Sequence, residues 1–153
     1  MRRLVLATTN KGKVAEIRDL LTDVPVEIVG LEQFPELPPV EETGSTFLEN
    51  AIIKAKTVAE YTHELTLADD SGLEVDALDG EPGVYSARYG QPGWNDQQRY
   101  QYLLEQLQGY GPDDRAARFR CVIAVYDPTV SWLETAVGTV EGRIATAPKG
   151  DYG

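Results

Sequence analysis

The residues that most constrain the fold are 3–7, RLVLA, close to the start of the chain. This run is short and almost wholly apolar, which is typical of a strand buried on both faces of a sheet. A polar turn at 8–13, TTNKGK, follows directly and leads into residues 14–21, whose apolar positions share one face of a predicted helix. Thr9 or Asn10 would cap that helix. A buried strand followed at once by a helix indicates an α/β protein.

The same alternation continues along the chain. The pattern predicts strands over 26–29, 65–68 and 73–77, a helix that begins at a Thr46–Glu49 capping box, a helix over 95–106, long strands over 116–126 and 132–141, and a last strand over 142–147. Asp79-Gly80 predicts a tight turn. This order favours an α/β fold with a mixed, partly parallel sheet flanked by helices. We expect a single domain over 1–153, with a sheet long enough to form two lobes.

The charge balance limits the partners of the chain. Its 25 acidic and 14 basic residues give a net charge of −11, which argues against nucleic-acid binding through phosphate neutralisation. A small anionic ligand is compatible with this charge if cations or a metal are concentrated locally. The single cysteine, Cys121, excludes an internal disulfide and suggests a buried thiol, and the lone His63 excludes a histidine cluster for zinc. No run has the length of a signal peptide or membrane span, so we expect a cytoplasmic protein.

Residues 67–72, LADDSG, place two adjacent carboxylates after an apolar strand pattern. Because Asp69 and Asp70 repel each other and are costly to bury, they need a cation, a partner or a chemical use. Glu41 and Glu42 offer further carboxylates just before the second helix. One carboxylate from each segment would suit a Mg²⁺ ion that keeps several waters and takes phosphate ligands. The alternative is a solvated Asp-Asp-Ser-Gly turn in an acidic chain.

The turn at 8–13 has the layout of an anion site. The first amides of the following helix point outward at the positive end of its dipole, and Lys11 and Lys13 add formal charge. The spacing is not that of a Walker motif, and an ordinary capped helix with solvated lysines is the alternative. Lys54 in the second helix and Arg88 in an irregular segment could also reach a phosphate, or could be solvated surface cations.

Four segments taken together resemble the inosine triphosphate pyrophosphatase family, which removes non-standard purine nucleoside triphosphates from the nucleotide pool. These segments are LVLATTNKGKVAEI, EETGSTFLENAIIKA, LADDSGLEVDALDGEPGVYSARY and RFRCVIAVY, in this order. The resemblance implies Mg²⁺-dependent hydrolysis of ITP, dITP and XTP to the monophosphate and pyrophosphate. It also implies an elongated, two-lobed α/β fold with a long mixed sheet, and a homodimer.

The resemblance further implies roles for individual residues. Glu42 and Asp70 would hold Mg²⁺, and Asp70 would also be the general base. Asp69 would support metal-bound water. The residues implied in substrate binding are Thr8, Thr9, Asn10, Lys11, Gly12, Lys13, Lys54, Ser71 and Arg88.

The resemblance breaks at the C-terminal end. The family continues with a Phe-Gly-(Tyr/Trp)-Asp-Pro motif, a later lysine and a Ser-His-Arg motif that read the purine base, whereas this chain ends KGDYG. We therefore expect a C-terminally truncated sequence that keeps the metal and phosphate half of the site. One alternative is a non-catalytic fragment that binds Mg²⁺ and nucleotide. A Maf-type pyrimidine nucleotide pyrophosphatase is a weaker alternative, since a Ser-Pro-Arg-Arg-like turn would be expected where this chain has TNKGK.

Overall fold

The computed structural model describes residues 1–150 of the chain. Within that part, five strands and three α-helices are joined by loops and short 3-10 helices. The elements are, in chain order, β1 (Arg2–Leu6), α1 (Lys11–Leu20), β2 (Val26–Val29), α2 (Phe47–Thr62), β3 (Leu65–Val75), α3 (Asp96–Gln106), β4 (Ala116–Asp127) and β5 (Trp132–Arg143). None of the helices in this part of the chain is both long and apolar enough to cross a bilayer.

The five strands form one sheet in the order β2-β1-β3-β4-β5. β1 pairs in parallel with both of its neighbours, so that Leu4 lies opposite Ile28 on one side and Leu65 on the other. The neighbours β4 and β5 are joined only by residues 128–131, a connection too short for a parallel pair. The prediction of an α/β fold with a mixed, partly parallel sheet is therefore confirmed.

The chain divides into two compact units. The first comprises Met1–Asp70 and Val122–Val137, and the second comprises Ser71–Cys121 and Gly138–Gly153. β1 is central to the core of the first unit, since its last three residues are at most 5% exposed. One face of α2 is also buried in that unit, through these small residues: Ala51, Ala55, Val58 and Ala59.

The core of the second unit forms around the C-terminal half of α3. Leu103 and Leu107 pack there with Val75 and Ala117. Arg115 is also buried, and its guanidinium donates hydrogen bonds only to backbone carbonyls, including that of Leu107 at 3.2 Å. Because a buried guanidinium is costly unless its donors are paired, these bonds tie the end of α3 to the chain around residue 145.

The predicted break between separate strands at 65–68 and 73–77 is wrong, and so is the alternative of a solvated turn there. β3 runs without interruption from Leu65 to Val75, so both aspartates lie inside a strand instead of after one. Asp, Ser and Gly favour turns locally, but pairing in a sheet can override this preference. The predicted Asp79-Gly80 turn is confirmed further on, with positive φ angles of 55° and 88°.

Two smaller predictions also fail, and one helix is less buried than its pattern suggests. β5 extends to Arg143 and residues 144–150 contain no strand, so the separate strand at 142–147 does not exist. No residue of α1 is buried, and Leu20 on its apolar face is 81% exposed. Cys121 is half-buried instead of buried. Periodicity shows that one side of an element is apolar, but not whether the fold covers that side. Residues 151–153, the end of the predicted domain, lie outside the described residues.

The helix caps agree largely with the sequence. Asn10 caps α1, and Thr46 caps α2 by accepting a hydrogen bond from the Glu49 amide at 3.1 Å. The return bond of the predicted capping box differs, because the Glu49 carboxylate accepts from the amide of Ser45, at 2.8 Å, instead of that of Thr46. α2 ends at His63, which adopts the left-handed conformation with φ 59°.

Candidate functional site

The site begins at the N-terminus of α1, in the first unit. The Thr8 hydroxyl accepts a hydrogen bond from the Asn10 amide, and Asn10 Oδ1 accepts one from the Lys13 amide, both at 3.1 Å. These bonds fix the turn while Thr9, Lys11 and the intervening Asn10 stay exposed to solvent. Gly12 is exposed too, and a Cβ there would lie 3.2 Å from Asn10 Oδ1. The helix amides and their dipole thus face solvent, where an anion can approach.

The side chain of Lys13 connects this turn to β3. Its Nζ donates to Oδ2 of Asp69 at 2.8 Å, and Asp69 is only 5% exposed. A nearly buried carboxylate needs such a partner. The ion pair therefore explains how Asp69 is tolerated inside a strand, and it holds a cation beside the start of α1.

A second lysine, Lys54, lies close to the other aspartate, Asp70. Lys54, in α2, places its Nζ 2.8 Å from Oε1 of Glu42 and 3.8 Å from Oδ1 of Asp70. Adjacent residues of a strand project to alternate sides, which accounts for the separate lysine partners of Asp69 and Asp70. Lys54 thus draws together the carboxylates of the loop before α2 and of β3.

Asp70 is the most unusual group of the site. It is 8% exposed, and its Oδ2 is buried without a hydrogen-bond partner among residues 1–150. Burial raises the pKa of this carboxyl; Lys54 opposes that shift, and the negative charges of Glu42 and Asp69 add to it. A carboxylate whose proton affinity is raised and whose oxygen is unpaired is suited to accept a proton from water.

The five ionisable groups together carry a surplus of negative charge. Two ammonium groups, those of Lys13 and Lys54, face the three carboxylates of Glu42, Asp69 and Asp70. Asp69 and Glu42 each have a lysine nitrogen at 2.8 Å, whereas Asp70 has only the shared one at 3.8 Å. The unbalanced charge therefore falls on the buried Asp70.

The donor set fits a hard divalent cation. Mg²⁺ is usually held by one or two carboxylates together with waters and substrate phosphates, and Glu42 and Asp70 supply two carboxylates around one lysine. The unpaired Oδ2 of Asp70 is an oxygen that such an ion would satisfy. No group of three or more His, Cys, Asp or Glu side chains gathers as a metal cage within residues 1–150.

The remaining predicted residues belong to the second unit. Ser71 follows Asp70 in β3 and is half-buried. Arg88 ends the 3-10 helix Gly83–Arg88 and is exposed, with its guanidinium 5.7 Å from the centre of the Tyr85 ring. Of the predicted residues, the structure pairs Lys13 with Asp69 and Lys54 with Glu42 and Asp70, while Glu41 stays exposed.

One residue of the site was missed by sequence reasoning. Asn50, in α2, is 1% exposed and hydrogen bonds to the Asp70 carboxylate. It lies one helical turn before Lys54, and residues at that spacing share a face. That spacing was the available signal: a polar side chain in line with Lys54, on a helix whose neighbouring alanines indicate burial.

Known proteins resemble this chain over nearly its whole length. The model of the Ham1 family matches residues 4–153, and the chain belongs to that family. The dITP/XTP pyrophosphatase of Desulforamulus reducens is 51% identical over 151 residues, which cover 99% of this chain and 75% of that protein. The enzyme of the same name from Nitratidesulfovibrio vulgaris is 49% identical over 156 residues, covering 98% and 75%.

Solved structures show the same likeness. The HAM1 protein from Coxiella burnetii superposes with a TM-score of 0.92 at 43% identity, covering all of this chain and 78% of that one. The nucleoside-triphosphatase or dITP/XTP pyrophosphatase from Mycobacterium abscessus gives a TM-score of 0.86 at 37% identity, covering 99% and 78%. The resemblance drawn from the four sequence segments is thereby confirmed.

Proposed function

We propose that this chain hydrolyses non-standard purine nucleoside triphosphates, ITP, dITP and XTP, to the monophosphate and pyrophosphate, and so cleans the nucleotide pool. Membership of the Ham1 family and the names of its relatives support this substrate class. The observation that carries the chemistry is the buried Asp70, whose Oδ2 has no partner within the described chain and whose Oδ1 lies 3.8 Å from Nζ of Lys54.

The proposed reaction is attack of water on the α-phosphorus. The water oxygen forms a bond to that phosphorus, the bridging bond to the β-phosphate breaks, and pyrophosphate leaves with the bond electrons. Asp70, whose pKa is raised by burial, accepts the proton of the attacking water. Positioning and charge neutralisation dominate the barrier of such reactions.

The other residues would bind and orient the triphosphate. The amides and side chains at Thr8–Lys13 would receive its phosphates at the positive end of α1. Lys13 and Lys54, now paired with carboxylates at 2.8 Å, would turn toward phosphate oxygens. Ser71 and Arg88 are proposed as further substrate contacts.

We also propose a Mg²⁺ cofactor, held by Glu42 and Asp70, with Asp69 supporting its water. When bound, this ion would screen the phosphate charge and polarise the phosphoryl oxygens. The carboxylate pair and the unpaired Oδ2 support this assignment. A homodimer and a cytoplasmic location are proposed with it, because the family resemblance implies the first and a nucleotide-pool substrate suits the second. Light scattering on the purified protein tests the dimer.

The function is tested by pyrophosphate release. Purified chain is incubated with dITP, XTP and dGTP, with and without Mg²⁺, beside the Asp70→Asn variant. We expect Mg²⁺-dependent release that favours dITP and XTP over dGTP and is lost in the variant. No release from a folded protein would contradict the proposed activity, and equal release from dGTP would contradict the proposed selectivity.

A further inference from the structure

Asn50 is a buried polar side chain in an otherwise apolar stretch of α2. Its residue is 1% exposed, and its neighbours on the same helix face, Phe47 and Ala51, are buried apolar residues. A buried amide is costly unless its donor and acceptor are both used. The partners of this side chain therefore indicate what it does.

The acceptor end of Asn50 holds the loop before α2. Oδ1 accepts a hydrogen bond from the Gly44 amide at 2.8 Å. The approach is so close that a Cβ on Gly44 would lie 2.8 Å from this oxygen and 2.6 Å from Cβ of Glu49. Gly44 follows Glu42 by two residues, so this bond fixes the loop that carries the Glu42 carboxylate.

The donor end of Asn50 serves β3. With Oδ1 engaged by Gly44, the side-chain NH₂ is the group that can donate to the carboxylate of Asp70. Oδ2 of Asp70 is buried and has no hydrogen-bond partner in the described chain. One side chain thus connects the Glu42 loop to Asp70.

We propose that Asn50 is a positioning residue, which holds the Glu42 loop beside β3 and so sets the separation of the Glu42 and Asp70 carboxylates. This inference deepens the proposed function and rests on it for the catalytic part. Partners of this kind, which touch the ligands of a metal, typically change metal affinity or activity by about 10–100-fold when they are removed.

The competing explanation is that Asn50 only stabilises the fold. Two variants distinguish this role from the positioning role. Asn50→Ala removes both bonds. Asn50→Asp keeps an acceptor for the Gly44 amide but has no donor for Asp70. Val58→Ala is the matched control, because Val58 lies in the same helix, is 1% exposed and forms no part of the site.

The experiment measures Mn²⁺ binding by calorimetry without nucleotide, then kcat and KM for dITP well below each variant's melting temperature. We expect Asn50→Ala to weaken Mn²⁺ binding and to lower kcat at least tenfold. Asn50→Asp should also lose at least tenfold in kcat while melting near the wild-type temperature. Val58→Ala should melt lower but keep the wild-type kcat and Mn²⁺ affinity.

The outcomes remain distinguishable from failure of the proposed function. A wild-type kcat in Asn50→Asp, or an unchanged Mn²⁺ affinity in Asn50→Ala, would overturn the positioning role while leaving the activity intact. Equal kcat losses in Asn50→Ala and Val58→Ala would also overturn it. If the wild type binds Mn²⁺ but releases no pyrophosphate, only the proposed reaction fails, and the Mn²⁺ comparison still decides the role of Asn50.

Discussion

Replacing Asp70 by Asn should stabilise the folded protein in the absence of metal while abolishing its activity. The buried Oδ2 of Asp70 has no partner in the described chain, and the carboxyl group carries the surplus negative charge beside Glu42 and Asp69. An unsatisfied buried polar group costs about 1–3 kcal/mol. Lys54 at 3.8 Å offsets part of this, as a partly exposed pair is worth about 0.2–1 kcal/mol.

Taking the middle of each range, the net gain for Asp70→Asn is about 1–2 kcal/mol, because Asn removes the buried charge. For a chain of this length, each kcal/mol shifts Tm by about 2–4 °C, so we expect a rise of about 2–8 °C. The assay is thermal unfolding in EDTA at pH 8, followed by tryptophan fluorescence.

The pH dependence of unfolding tests independently whether the ionised Asp70 destabilises the fold. Burial raises the pKa of Asp70 above its ordinary value of 3.8, so ionisation of this group disfavours the folded state. This loss of free energy of unfolding is complete above the pKa of the folded state. It is absent below the pKa of the unfolded state, where the group is protonated in both states. The advantage of Asp70→Asn should therefore be largest at pH 8 and fade as the pH falls toward the ordinary value.

Mg²⁺ should reverse the order of the melting temperatures of wild type and Asp70→Asn. At one hundred times its dissociation constant, an ion that binds only the folded state adds about 2.7 kcal/mol. This exceeds the advantage of Asp70→Asn, and the wild type should gain it from Mg²⁺ while Asp70→Asn gains much less. The reasoning is refuted if the variant melts at or below the wild type at pH 8 in EDTA. It is also refuted if Mg²⁺ stabilises both proteins equally.

Three further predictions concern stability away from the site. His63→Gly should stabilise the protein by about 0.5–1 kcal/mol without changing kcat, because glycine adopts the left-handed cap of α2 without strain; chemical denaturation measures this, and a loss of stability would contradict it. The hydrogen bond from Arg2 lowers the pKa of Asp127. This carboxylate therefore stabilises the fold above its unfolded pKa and ceases to do so as the pH falls through its lower folded pKa. The melting curves of Asp127→Asn and wild type should differ at pH 6 and converge near pH 2. Arg115→Lys should lower the free energy of unfolding by about 2–4 kcal/mol, since several hydrogen bonds to carbonyls are lost at about 0.5–1.5 kcal/mol each. The matched Arg120→Lys gives up one bond to a half-exposed carboxylate and should cost under about 1 kcal/mol, measured by the same denaturation.

The parts of the fold that could be predicted are those with a strong local signal. β2 was predicted at 26–29 and lies at Val26–Val29, because a short apolar run follows Pro25. α3 was predicted to begin at Asn95, which is the cap of the observed helix. Such elements are determined by caps and periodicity that a single segment contains.

The continuous β3 could not be predicted because its reason is not local. Asp69 and Asp70 favour a turn, and they stay extended in a strand only because lysines from other segments neutralise them. Asp69 lies 56 residues from its partner, Lys13. The sequence pointed to these charged side chains individually, but nothing in it indicated which lysine would meet which aspartate.

Asn50 illustrates a different limit. Polar residues on helices are mostly exposed, so an asparagine in α2 gives no signal by itself. Its spacing to Lys54 is a weak local signal, and its burial and its hydrogen bond to Gly44 show its importance. Burial of a polar group is a property of the assembled fold, which periodicity cannot report.

The parallel register of β1 and β3 determines where the chain can change length. Val5 lies opposite Thr66 and Leu6 opposite Leu67, and the aspartates follow a few residues later on the same strand. Because strand side chains alternate, one inserted or deleted residue between that pairing and Asp70 would exchange the positions of the two aspartates relative to their lysines. The loop at 34–41 has no such constraint. Natural length variants are therefore expected in that loop and should be absent from residues 65–70.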